Sequence, residues 1–266
     1  MISFHYETYG SDKNKPLLFL HGFMGNVAEW EDIIPFFSDK FYCLAVDLPG
    51  HGKTDAVNEE DYLMENCADG IISLLDELQI SKCNMIGYSM GGRLAYYLII
   101  AYFDRFDKVV IESSSPGLKT ENEKKERLAL DEKRARRLTE ISLEHFLDEW
   151  YQQSLFSTID KRSLQYKNLI NKRLLNNSHG LSLSLKMMGV GKQPSLWQHL
   201  NKISADVLLM VGDKDDKFKR IAYEVVERCV TASIAIVSGV GHNVHFEKRE
   251  EFVNQVKHFL TYRKEE

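Results

Sequence analysis

The sequence predicts an α/β protein: a mostly parallel central sheet flanked by helices, with a helical lid inserted late in the chain. Three observations carry this. Short apolar, β-rich runs recur with turn signals behind them, segments of helical spacing lie between many of them, and the alternation stops for about ninety residues before it resumes.

The runs are Leu17 to Leu20, Tyr42 to Val46, Cys83 to Ile86, Lys108 to Ile111, Val207 to Val211 and Ser233 to Val237. Continuous apolar character over so few residues fits strands covered on both faces, as parallel sheets are. Ile2 to Tyr9 alternates instead, which places a half-exposed, antiparallel strand at the sheet edge. Ile71, Leu74, Leu75 and Leu78 recur at helical spacing, as do Phe252, Val256, Phe259 and Leu260, so helices cover the sheet.

The strand pattern is missing between Pro116 and Ala205, where helix formers predominate. The expected division is a core of residues 1–118 and 201–266 with a lid of 119–200. From Lys119 to Trp197 there are 15 Lys and Arg against 10 Asp and Glu, a net of +5 in a chain whose total is −5, so the remainder sums to −10. The lid is cationic and the sheet region acidic. Within the lid, the run Lys133, Arg134, Arg136 and Arg137 reads at least in part as a solvated helix face. With no nucleic-acid motif and no overall basic charge, nucleic acid is not an expected partner.

A chain of 266 residues, 44% hydrophobic, can bury one sizeable core. Nothing near Met1 has the basic and apolar regions of a signal peptide, and no apolar run approaches the ~18 residues that span a bilayer. The expectation is a cytoplasmic protein without membrane insertion. Cys43, Cys67, Cys83 and Cys229 lack metal-ligand spacing and read as reduced core thiols.

The chemistry starts at Gly87-Tyr88-Ser89-Met90-Gly91, which follows a predicted strand and opens a helical run reaching Tyr102. A sharp strand-to-helix turn holds the serine in strained geometry, and the flanking glycines allow close approach of neighbouring chain. A serine hydroxyl is a weak base or nucleophile until an imidazole takes its proton and a carboxylate orients that imidazole. The order Ser, acid, His suits this context. Val207 to Val211 runs into Gly212-Asp213-Lys214-Asp215-Asp216, with Asp215 the expected acid and Asp213 and Asp216 competing; the last strand leads into His242, with His245 as a structural neighbour. Backbone N–H groups for an oxyanion are expected from Met90 and from Phe23 in His21-Gly22-Phe23-Met24-Gly25; His21 itself reads as a turn-stabilising residue.

These features resemble the α/β-hydrolase fold over nearly the whole chain. Gly87-Tyr-Ser-Met-Gly-Gly-Arg93, Glu112-Ser-Ser-Ser-Pro-Gly117, Trp150-Tyr-Gln-Gln153 and Gly189-Val-Gly-Lys-Gln-Pro-Ser-Leu-Trp197, taken together, are similar to the 2-succinyl-6-hydroxy-2,4-cyclohexadiene-1-carboxylate synthases, lyases of menaquinone biosynthesis. The resemblance implies elimination of pyruvate from a small polycarboxylate, with no metal or organic cofactor, and a serine that acts as a base. It also implies binding roles for Arg127, Arg173 and Lys217. Arg93, one helical turn past Ser89, is a fitting carboxylate partner because guanidinium grips carboxylate in two places. Tyr88 and Trp150 are expected as aromatic walls. The same triad would also permit a carboxyl-ester or thioester hydrolase with Ser89 as covalent nucleophile. Oligomeric state is not readable from these patterns.

Overall fold

The computed structural model describes residues 2–54 and 56–262, so Met1, Asp55 and 263–266 of the predicted core lie outside the described residues. Its sheet has seven strands: β1 (Tyr6–Tyr9), β2 (Lys15–Leu20), β3 (Phe41–Val46), β4 (Cys83–Tyr88), β5 (Phe106–Glu112), β6 (Asp206–Gly212) and β7 (Ala232–Val237). The spatial order is β1-β3-β2-β4-β5-β6-β7. Only β1 is antiparallel, and it pairs with β3 at one edge as its alternating pattern predicts. It is shorter than the predicted Ile2 to Tyr9.

Alternate strand residues enter opposite cores. Leu18, Leu20, Met85, Val109, Ile111 and Leu209 face one apolar cluster, while Leu17, Phe19, Ile86, Val110, Leu208 and Met210 face the other. This two-sided burial is why the runs carry no polar alternation. The helices of the sheet region are α1 (Met64–Glu77) and α2 (Met90–Ala101), then, after the lid, α7 (Asp216–Val226), α8 (Val244–Glu247) and α9 (Arg249–Thr261); the lid carries α3 (Glu121–Glu140), α4 (Leu143–Tyr151), α5 (Leu164–Arg173) and α6 (Ser178–Met188). Ile71, Leu74 and Leu75 of α1 join the first cluster, and Phe252 and Val256 of α9 the second, as their spacing requires.

The lid helices gather around a third apolar cluster that includes Leu138, Phe146, Tyr151, Leu169 and Leu181, together with Met24 from the sheet region. Thr120 starts α3 with a reciprocal capping box to Glu123, and Ser142, Ser163 and Asn177 cap the next three helices. All four cysteines are free and buried. No helix among the described residues is long and apolar enough to cross a membrane.

Candidate active site

Ser89 stands between β4 and α2 at φ 49°, ψ −101°, a backbone conformation that L-residues rarely adopt. The flanking glycines make this possible. A Cβ on Gly87 would lie 2.6 Å from the Gly91 carbonyl oxygen, and one on Gly91 would lie 2.2 Å from that of Leu20. His242 Nε2 is 3.0 Å from Ser89 Oγ, and His242 Nδ1 is 2.8 Å from Asp215 Oδ2. Asp215 also caps α7 by accepting from the Phe218 amide. Asp213 accepts from the Gly239 amide and Asp216 pairs with Lys219 on the surface, so Asp215 alone of the three meets the imidazole.

Phe23 and Met90 line the same cavity as Ser89 and His242. The Phe23 loop is held from behind: the Gly22 amide donates to Glu29, and His21 Nε2 accepts from the Leu48 amide at 2.9 Å, the turn-stabilising role expected of it. The cavity, of about 500 Å³, lies between the sheet and the lid. Trp150 forms part of its wall, with the Phe23 ring 5.1 Å away and the Arg134 guanidinium over its indole face.

Arg93, Arg127 and Lys217 line this cavity as expected. Arg93 is buried, and its partners are neutral: Nη1 donates to the Met188 carbonyl at 2.8 Å and lies 3.4 Å from Gln193 Oε1. Gln193 in turn donates to the Ser115 carbonyl, and the Trp197 indole donates to that of Gly117. Three of the four sequence strings behind the family resemblance therefore meet around one guanidinium. Arg127 pairs with the buried Asp131, which also receives the Gly191 amide. Burial, and after it the charge of Arg127, push the Arg93 guanidinium down to about 10. Burial and the charges of Arg127 and Arg134 likewise lower the Lys217 ammonium, against the opposing pull of Asp215.

Two expected binding residues lie elsewhere. Arg173 does not line the cavity; it is buried against Glu29, whose carboxylate raises its guanidinium despite the burial that would lower it. Glu29 comes from the short helix after the Phe23 loop, so this ion pair ties α5 to that loop. Tyr88 is not a cavity wall. As the last residue of β4 it points to the far side of the sheet, its ring 5.6 Å from His242 and 4.8 Å from His245. His245 is bonded to the fully buried Glu112 at 2.7 Å and is structural.

Arg134 is the member of its run that leaves the solvated face. It lines the cavity and donates to Gln153, while Lys133 and Arg136 are exposed. Arg127 and Arg134 are seven residues apart, two helical turns, so their spacing on α3 carried the signal. Lys119, bound to Glu224, and Arg220 also reach the cavity.

The family model described as the alpha/beta hydrolase fold matches residues 15–249. A Bacillus subtilis (strain 168) protein that carries the name 2-succinyl-6-hydroxy-2,4-cyclohexadiene-1-carboxylate synthase provisionally is 37% identical over 95% of this chain and 92% of its own length. The Pectobacterium atrosepticum protein bearing that name outright is 31% identical over 92% and 94%. The solved structure of MenH from S. aureus superposes with a TM-score of 0.91 at 30% identity, covering 96% of this chain and 97% of the other. At 20% identity and a TM-score of 0.81, the enol-lactonase from Burkholderia xenovorans LB400, matched over 97% and 96% of the two chains, shares the fold alone. On these relationships the chain belongs to the 2-succinyl-6-hydroxy-2,4-cyclohexadiene-1-carboxylate synthase family of the α/β hydrolase fold.

Proposed function

We propose that the protein eliminates pyruvate from 2-succinyl-5-enolpyruvyl-6-hydroxy-3-cyclohexene-1-carboxylate, a step of menaquinone biosynthesis, with Ser89, His242 and Asp215 as the catalytic triad. The observation that carries this is the charge of the cavity beside Ser89. Arg93, Arg127, Arg134 and Lys217 converge there and outnumber the lining carboxylates of Glu123 and Glu224; Asp131 forms its ion pair with Arg127 and also pulls on Arg93 and Arg134, while the hydrogen-bond partners of Arg93 are neutral. Cations held this close, with Arg93, Arg134 and Lys217 lowered chiefly by burial and then by the charge of Arg127, suit a ligand that brings carboxylates.

The difference between substrate and product defines the proton. Forming the 2,4-diene requires loss of the hydrogen on ring carbon 2, which the neighbouring succinyl ketone acidifies, and departure of enolpyruvate from carbon 5. Ser89 Oγ takes that hydrogen as its own proton passes to His242 Nε2, and Asp215 stabilises the imidazolium through Nδ1. Charge moves onto the ketone oxygen, for which the Phe23 and Met90 amides are the donors in this reading. The ring double bond then shifts, the bond from carbon 5 to oxygen breaks, and enolpyruvate takes up a proton on carbon to become pyruvate. The cationic groups grip the succinyl, ring and enolpyruvyl carboxylates, with Trp150 as an apolar wall. No metal enters any step.

Purified protein mixed with the enolpyruvyl precursor should release pyruvate, and Ser89→Ala should reduce that release to the uncatalysed rate. No pyruvate above background from the parent protein overturns the proposal. The 3.0 Å approach of Ser89 Oγ to His242 also suits acyl transfer by an ester or thioester hydrolase. A burst from an activated ester, with no pyruvate from the precursor, would favour that second reading.

A further inference from the structure

Among the described residues, Ser113 is the one that lines the cavity with both its backbone geometry and its polarity unexplained by the fold. It follows β5 at φ 47°, in the left-handed region that a non-glycine residue enters at a cost, and its side chain is fully buried. Ser113 is among the residues lining the cavity, and its buried hydroxyl has no partner in the protein. The other serines of the run are satisfied: Ser114 Oγ donates to the Ser89 carbonyl at 2.8 Å, and Ser115 Oγ bonds within the turn to Gly117. Among the described non-glycine residues only Met24, Gln79, Ser89 and Ser113 have positive φ, and of these Ser89 and Ser113 line the cavity. Backbone strain gathers at functional positions when surrounding structure imposes it.

The imposing structure is visible. The Ser113 amide donates to the Met210 carbonyl of β6 at 2.9 Å, and the Ser89 amide donates to the Glu112 carbonyl at 2.9 Å. Ser113 is therefore fixed at the carboxyl end of the strand beside the elbow, one residue beyond the Tyr88 to Glu112 register pair. Structure alone would prefer glycine there, which relieves the backbone, or an apolar residue, which removes a buried unpartnered hydroxyl.

We propose that Ser113 is a substrate-contacting residue that positions the cyclohexene substrate for Ser89 by hydrogen-bonding one of its oxygens. The assignment rests on the lyase reading above. A neutral hydroxyl complements the guanidinium groups, because it can orient an oxygen without adding charge and can both donate and accept. Its cost when unpartnered is recovered only when a ligand oxygen meets it, which favours oxygenated substrates over apolar ones of the same shape.

The test compares the parent protein with Ser113→Ala and Ser113→Gly. Three quantities are read: pyruvate release from the enolpyruvyl precursor, the rate of Ser89 sulfonylation by phenylmethylsulfonyl fluoride, and the melting temperature. Loss of kcat/KM by roughly 5- to 30-fold in both variants is expected, the range for one hydrogen bond to substrate, with sulfonylation unchanged and melting not lowered. If Ser113→Gly releases pyruvate like the parent, the hydroxyl is idle and the proposal is overturned, whatever Ser113→Ala does, since strain then accounts for the alanine effect. Equal losses in pyruvate release and sulfonylation also overturn it, because the damage is then to the triad. A parent protein that releases no pyruvate overturns the lyase reading and this proposal with it.

Discussion

Arg93 and Arg173 are both buried arginines, and they differ in what faces them. Arg173 meets the carboxylate of Glu29, equally buried, and that charge raises its guanidinium. Arg93 hydrogen-bonds to a carbonyl and an amide, and burial and the nearby Arg127 lower it against the weaker pull of Asp131. A buried cation whose counter-charge comes from the protein is complete, so it holds structure together. One whose hydrogen-bond partners are neutral and which borders a cavity is complete only when a ligand brings the charge. The contrast separates a strut from a binding group without reference to position in the sequence.

Exchanging each arginine for methionine should break the two sides differently. Arg173→Met leaves Glu29 buried and unpaired, so unfolding by urea should show a loss of about 3–5 kcal/mol, and Glu29→Gln in the same chain should restore part of it. Arg93→Met strands no carboxylate and should stay within about 1 kcal/mol of the parent, while kcat/KM for pyruvate release falls by roughly 30- to 1000-fold, the equivalent of about 2–4 kcal/mol. Wild-type turnover in Arg93→Met, or undiminished stability in Arg173→Met, would erase the distinction.

The same contrast shows what the sequence could and could not reveal. β2 to β6 were legible because burial on both faces leaves largely uninterrupted apolar runs, the half-exposed edge strand β7 because its run is still apolar and β-branched, and Ser89 and His242 because each follows an apolar run into a glycine-marked turn. Asp215 was legible only to within a short loop, since Asp213 and Asp216 have the same chemistry and only the fold shows which carboxylate turns toward the imidazole. Arg93 followed from its helical phase behind Ser89. Arg173 did not, because a lid arginine and the Glu29 that neutralises it are separated by 144 residues, and no local pattern joins them. Tyr88 failed for a different reason: two residues after Ile86 on β4, it shares the face and the apolar cluster of Ile86. Ser113 had no signal, as one of three consecutive serines whose backbone angles differ.

The cavity side can be sharpened by pH. Lys217 is lowered from 10.5 and Arg93 to about 10, both chiefly by burial. If their positive charges bind substrate, kcat/KM for pyruvate release should decline as pH rises toward 10, because this parameter reports the free enzyme. Lys217→Arg should move the decline upward by keeping that charge. Lys217 as a whole residue is exposed, so its ammonium is only partly withdrawn from solvent and the displacement should shrink in high salt. A profile flat to pH 10.5 in the parent would argue that neither cation titrates against substrate binding.

On the structural side the smallest effect is a pH-dependent stability carried by histidines. Burial would lower His245, but the charge and hydrogen bond of Glu112, with Glu29, outweigh it and raise the imidazole above 6.5. Its contribution is therefore fully present below about pH 6.5, the unfolded value, and is lost as pH rises through the higher value of the folded state. His21 and His51 run the other way: burial holds His21 well below 6.5 and His51 at about 4. They stabilise the fold above about pH 6.5, and that contribution is lost as pH falls from there toward about 4, while the unfolded chain takes up protons first. The urea midpoint should consequently peak near neutrality and fall on both sides. In His245→Gln the alkaline fall should disappear while the acid fall remains, and an alkaline fall unchanged in that variant would show that the Glu112 pair is not its source.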